Sequence, residues 1–259
     1  IGCGKCRLCL KGHTNLCNEL KTIGFQYDGA FAEYMEVPSD LIKQGNFNKL
    51  NNQISDEEAV LAEPIACVVN SHEFLNIDSG STVAIFGSGF IGSMHIELAK
   101  LKGAKKIIMI EVNQSRIEKC KQYNPDIEVI NPIKENLYEL INKITDGYGA
   151  DVTIVACSVG SAQSDAMKIT GKLGRISLFG GLPAESTGFI DSNVIHYKEV
   201  SVYGVHASTA KQNRLALEYI IEGKLNVKKY IHNIFKLSDI KNAFESLKNE
   251  EIIKAIVKP

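Results

Sequence analysis

The chain has 259 residues, 44% hydrophobic and 23% charged, with 29 Lys and Arg against 30 Asp and Glu and a formal net charge of -1. That length makes one large or two modest domains with a real core, and the composition excludes general disorder. No basic tract stands out to neutralise a row of phosphates, which argues against a dedicated nucleic-acid partner; apolar runs such as Ile107-Ile108-Met109-Ile110 fall far short of the ~20 residues that span a bilayer.

Four of the seven cysteines, Cys3, Cys6, Cys9 and Cys17, lie in the first 17 residues, while Cys67, Cys120 and Cys157 are scattered. Clustering of that kind points to metal in a reducing compartment, hence the cytoplasm, rather than to disulfides. Four thiolates separated by two, two and seven residues, in a loop with Gly2, Gly4 and Gly12, wrap one Zn2+ tetrahedrally and leave no open position, which makes the site structural. An iron-sulfur cluster or unliganded thiols are the alternatives. His13 is surplus to this set and reads as a surface residue. The sequence starts at Ile1 with no signal-peptide pattern, and it reads as the remainder of something longer.

Residues 1 to about 66 are rich in turn formers, and from about 82 to 204 strand-like and helix-like segments alternate. Thr82–Phe86 is an expected buried strand ended by glycine, and Phe90–Leu101 carries apolar residues at helical spacing. A strand over Lys106–Glu111 and helices over Gln114–Gln122 and Glu135–Thr145 follow. Next come a strand over Asp151–Ala156, a helix over Ser161–Thr170, and strands over Arg175–Phe179 and Val200–Tyr203. Near-continuous apolar strands separated by helices imply a parallel sheet covered on both faces. Lys211–Glu222 and Leu237–Lys248 read as helices and Ile252–Val257 as the closing strand.

Gly87-Ser88-Gly89-Phe90-Ile91-Gly92 follows the first expected strand and opens the first long helix. In that context the glycine pattern reads as a dinucleotide site: a tight turn, close approach of a pyrophosphate to the backbone, and close packing of helix on strand. The helix N-terminus supplies N–H groups and the positive dipole end to the phosphates. Glu111, ending the second strand, can accept hydrogen bonds from the adenosine ribose hydroxyls, which favours NAD over NADP; Arg116 softens that preference. His95, inside the helix, reads as a packed or partly exposed residue.

The C-G-x-C-x-x-C pattern with a fourth cysteine eight positions on, followed by this glycine turn, resembles the zinc-dependent medium-chain dehydrogenases of the alcohol, sorbitol and threonine dehydrogenase kind. Asp28-Gly29-Ala30-Phe31-Ala32-Glu33-Tyr34 is similar to the family's strand after the zinc loop. Ala62-Glu63-Pro64-Ile65-Ala66 resembles the segment leading into its domain-joining helix. Gly147-Tyr148-Gly149-Ala150-Asp151-Val152 and Phe179-Gly180-Gly181 also match. The resemblance implies an α/β fold: a Rossmann doubly wound parallel sheet over 67–206, with a remnant of a GroES-like catalytic domain, holding the structural zinc loop, over 1–66 and a return to that domain over 207–259. It implies NAD(H)-dependent oxidation of a small secondary alcohol, a polyol, threonine or simple alcohol, by zinc-assisted hydride transfer. Glu63 matches a ligand of the family's catalytic zinc, direct or through water. Val205 and His206 lie where the family places backbone contacts to the nicotinamide carboxamide. The family's other catalytic-zinc ligands, a cysteine and a His-Glu pair upstream, are absent from this sequence. The expectation is therefore a chain lacking its N-terminal segment and inactive as it stands. The alternative is a non-catalytic NAD-binding module with structural zinc. A quinone reductase of the same superfamily is disfavoured by the four-cysteine loop. Pairing of relatives through the last sheet strand, here Val200–Val205, implies a homodimer or homotetramer.

Overall fold

A computed structural model describes residues 1–50, 53–250 and 252–259. The chain divides into two units, one formed by Ile1–Asn70 with His206–Pro259 and the other by Ser71–Val205. In chain order the elements are the short helices α1 (Arg7–Leu10), α2 (Ser39–Lys43) and α3 (Asp56–Ala59), then α4 (Ala62–Glu73), β1 (Thr82–Phe86), α5 (Phe90–Leu101), β2 (Lys106–Ile110), α6 (Gln114–Tyr123), β3 (Glu128–Ile130), α7 (Leu137–Ile144) and β4 (Ala150–Val155). After these come α8 (Gly160–Ile169), β5 (Thr170–Leu178), α9 (Ser192–Lys198), β6 (Ser201–Gly204), α10 (Ala210–Ile221), β7 (Asn233–Lys236), α11 (Ile240–Lys248) and β8 (Ala255–Lys258).

The second unit is a six-stranded sheet in the order β3-β2-β1-β4-β5-β6, parallel at every pairing. That order is the doubly wound dinucleotide-binding topology, in which ligands bind beyond the carboxyl ends of the strands where the order reverses, between β1 and β4. Alternation along the strands sends side chains to two buried faces. Ala84, Phe86, Ile108, Ile110 and Val155 meet Leu137, Ile141, Ala162 and Ala166 on one face. Val83, Ile85, Met109, Val152 and Ile154 meet Leu75, Ile96, Ala99 and Cys120 on the other.

The first unit holds a two-stranded parallel sheet, β7 with β8 in the register Asn233↔Ala255. Capping boxes start α3, from Ser55 and Glu58, and α10, from Thr209 and Gln212. Each satisfies two N–H groups that a helix start leaves unpaired. Gln212 then donates to Asn70 Oδ1 at 2.9 Å, and Asn70 donates to the Ala207 carbonyl at 2.9 Å.

The alternating strands and helices stand within a few residues of their expected places. The segment Asp28–Tyr34, by resemblance a strand, is irregular instead, with Phe31 and Tyr34 exposed; a strand needs a neighbour for its backbone groups, and this segment has none among the described residues. Leu237–Lys248 opens as a 3-10 turn over Leu237–Asp239 before α11. β5 starts earlier than expected, at Thr170, and carries a register shift against β4 together with Leu173 at φ 58°.

His95 is fully buried, and its Nδ1 lies 3.0 Å from Nε2 of the equally buried His72. Phe179 packs edge-on against His95. Burial holds both imidazoles below their ordinary value, His95 at about 3. Below the unfolded value of about 6.5 the unfolded chain therefore binds protons that the folded one excludes, so stability is full above that pH and drains as pH falls. Between pH 7.5 and 5.5 the two residues together are expected to remove about 2–3 kcal/mol of unfolding free energy. Urea melts followed by circular dichroism at the two pH values check this; identical midpoints would contradict it.

Candidate functional site

The glycine turn sits at the carboxyl end of β1, at the point where the strand order reverses. Gly87 takes φ 95°, a left-handed conformation that favours glycine. A Cβ on Gly92 would stand 1.8 Å from the Gly87 carbonyl oxygen, so α5 can press onto the turn only because the third glycine has no side chain. Gly89 is different, since a Cβ there would meet nothing within 4 Å. It begins α5 with no side-chain cap, so its open side and the helix N-terminus together fit a bound pyrophosphate. Phe90 is buried and Ile91 is half-buried.

Glu111 follows β2 and is 6% exposed. Its Oε2 accepts from the Ser88 N–H at 2.8 Å and the Ser88 hydroxyl at 3.0 Å, and its Oε1 accepts from the N–H groups of Val112 at 2.8 Å and Asn113 at 3.0 Å. The expected ribose acceptor thus also ties the glycine turn to the end of β2. Arg116 lies in the first turn of α6, its N–H bonded to the capping Asn113 side chain at 2.9 Å. Sequence reasoning passed over Cys157, just beyond β4, whose Cβ lies 3.2 Å from where a Cβ on Gly87 would be. Burial pushes its thiol up from the usual value. Its place one residue past an apolar strand, beside the switch point, was the available signal.

In the first unit the four Sγ atoms of Cys3, Cys6, Cys9 and Cys17 lie within 4.8 Å of one another, the only set of three or more potential ligands this close among the described residues. The Cys3 N–H points at Cys17 Sγ at 3.3 Å, the Cys6 N–H at Cys3 Sγ at 3.4 Å and the Glu19 N–H at Cys17 Sγ at 3.3 Å. N–H groups aimed at sulfur favour thiolates, and those of Lys5 and Cys6 bring Cys3 down to about 7. Four convergent soft donors fit a zinc ion with no position left over. His13 is exposed, as expected.

Glu63, in the first turn of α4, lines a cleft of about 560 Å3 with Asn15, Ser208, Thr209 and Asn213. Cys67, one turn on, donates to Glu63 Oε1 at 3.7 Å; burial and the Glu63 charge push its thiol up to about 12. One carboxylate and one thiol do not by themselves complete a metal site. Val205 is half-buried; His206 is exposed and its carbonyl accepts from the Asn15 amide at 2.8 Å.

Residues 91–222 match the family described as zinc-binding dehydrogenase, and residues 1–45 match the alcohol dehydrogenase GroES-like domain. Over 258 residues the chain is 30% identical to a sorbitol dehydrogenase of Halalkalibacterium halodurans, spanning 99% of this chain and 73% of that one. It is 33% identical over 251 residues to an L-threonine 3-dehydrogenase of Pyrococcus horikoshii, spanning 96% and 70%. Among solved structures it superimposes with a TM-score of 0.87, at 25% identity, on a Sinorhizobium meliloti protein described as a zinc-binding dehydrogenase and bound to NADP, covering 100% of this chain and 74% of that one. No helix among the described residues is long and apolar enough to cross a membrane. With the doubly wound sheet, the glycine turn and the four-cysteine loop in place, the chain belongs to the zinc-binding dehydrogenases of the alcohol dehydrogenase type, enzymes that use zinc and NAD(P).

Proposed function

We propose that the second unit binds NAD and that the chain serves the oxidation of a small secondary alcohol of the polyol or threonine kind. The observation that carries this is the turn from Gly87 to Gly92, with its open side at Gly89, placed at the strand-order reversal. Sorbitol and threonine, the compounds named for two relatives, both carry a secondary hydroxyl. When bound, NAD supplies the hydride acceptor: the carbinol C–H gives a hydride to the nicotinamide and the hydroxyl proton passes to solvent. The chain's own residues hold that cofactor. The turn and the α5 N-terminus meet the pyrophosphate, Glu111 meets the adenosine ribose with Arg116 nearby, and Val205 and His206 offer backbone groups to the carboxamide. Cys3, Cys6, Cys9 and Cys17 hold a structural zinc that staples their loop. Two further parts of the proposal are a reducing, cytoplasmic setting, which suits these thiols, and a homodimer or homotetramer joined through β6, the edge strand of the large sheet.

The test is Gly89→Ala. A methyl there meets nothing in the chain, so unfolding free energy is expected to change by less than about 1 kcal/mol. NADH affinity, read from nicotinamide fluorescence, is expected to fall about 100-fold or more as the methyl displaces the pyrophosphate. Unchanged affinity would remove the proposed site. A second reading is a non-catalytic NAD-binding module with structural zinc. NADH binding without NADH formation from any of a panel of secondary alcohols would select it.

A further inference from the structure

Each oxygen of a carboxylate offers about two lone-pair positions to donors, and on Glu111 the four are occupied by Ser88 N–H, Ser88 Oγ, Val112 N–H and Asn113 N–H. Three of these donors belong to the main chain and are fixed by the glycine turn and the end of β2. The fourth, the Ser88 hydroxyl, turns about a single bond, so it alone can leave without moving backbone. With Ser88 2% and Glu111 6% exposed, the carboxylate does not stand bare before an incoming ligand. Given the reading above that this unit binds NAD, a ribose hydroxyl that reaches Glu111 must take a place already filled.

We infer that Ser88 competes with the adenosine ribose for Glu111: its hydroxyl holds Oε2 until the ribose 2′-hydroxyl displaces it, and so limits what that hydroxyl contributes to binding. Exchanging one hydroxyl donor for another on the same oxygen leaves the number of hydrogen bonds to Glu111 unchanged, whereas filling a vacant position on a buried carboxylate adds one. Ser88 is therefore a positioning residue that tunes affinity for NAD. It also narrows the margin over NADP, whose 2′-phosphate has no proton to give the carboxylate.

The experiment measures dissociation constants of NADH, 2′-deoxy-NADH and NADPH by nicotinamide fluorescence for the parent chain, Ser88→Ala and Ser88→Thr. In the parent, NADH and its 2′-deoxy form are expected to differ by less than about threefold. Ser88→Ala is expected to bind NADH about 3- to 10-fold tighter, with the 2′-deoxy form and NADPH unchanged. Ser88→Thr, which keeps the hydroxyl, should behave as the parent. Equal weakening of all three ligands in Ser88→Ala would overturn the inference and leave Ser88 a brace of the turn. A tenfold or greater preference of the parent for NADH over 2′-deoxy-NADH would also overturn it, and this arm stands even if Ser88→Ala does not fold. A parent chain that binds none of the three overturns the NAD reading and this inference with it; a parent that binds NADH while the Ser88 variants show no change in it overturns only the inference.

Discussion

Cys9→Ser, purified alongside the parent with zinc supplied, is expected to carry less than about 0.1 zinc per chain where the parent carries about one. The four sulfur atoms converge within 4.8 Å, and little else in the loop can hold it: α1 is a single turn with no buried residue and no side-chain cap. A serine hydroxyl does not ionise at neutral pH, so three thiolates are left to bind a metal that needs four donors. Because the metal's binding energy is folding energy for such a loop, the variant should also be cut by protease within the first 20 or so residues while the parent resists. Gly2→Ala tests the same geometry with every thiol retained, since its Cβ would lie 2.7 Å from Cys9 Sγ. Zinc measured by atomic emission and protease mapping decide the matter. Full zinc occupancy in Cys9→Ser would show that the metal, if bound, is not held by this set.

Gly92→Ala is expected to damage the proposed NAD site, by a different route from Gly89→Ala. The added methyl would stand 1.8 Å from the Gly87 carbonyl oxygen and 2.9 Å from its carbon. Both are main-chain atoms that no side-chain rotation can move aside, so α5 must lift from the turn. Overpacking of that severity costs about 3 kcal/mol of stability, and the displaced helix N-terminus is expected to cut NADH affinity about 100-fold. A thermal melt and the fluorescence titration separate the two variants: Gly92→Ala should lose both stability and binding, Gly89→Ala binding alone. Normal melting of Gly92→Ala would mean that the helix does not pack on the turn as closely as described.

The parts of the fold legible from sequence are those where one local signal sufficed. Thr82–Phe86 and Phe90–Leu101 stand as read, because a continuous apolar strand and an apolar stripe at helical spacing meet at a glycine turn. β3 escaped because a strand of three residues is too short to show a period. α9 escaped because its start signal is a single residue, Asp191, whose carboxylate accepts from the N–H groups of Asn193 and Val194 at 2.9 and 3.3 Å. At the candidate site, residue types and spacing pointed to Glu111 and to the four cysteines. Nothing local could show that the Ser88 hydroxyl, 23 positions away, would already be bonded to Glu111, nor that His72 and His95 would meet. Those depend on the register of β1 against β2 and on the approach of His72 to His95 across 23 positions, which are long-range properties.

The first unit is assembled from the two ends of the chain, with Ser71–Val205 inserted between them. A ribosome making this protein delivers the four cysteines within a span of 15 residues, so their sulfur atoms can come together as soon as that span emerges. The acceptor for the Asn15 amide, the His206 carbonyl, lies 191 residues further on, and at 5–20 residues per second it arrives roughly 10–40 s later. The sheet of the inserted unit is complete by then, while β8 follows later still. During synthesis the four-cysteine loop thus precedes the inserted unit, and the unit around the loop is completed only after the inserted sheet has been made.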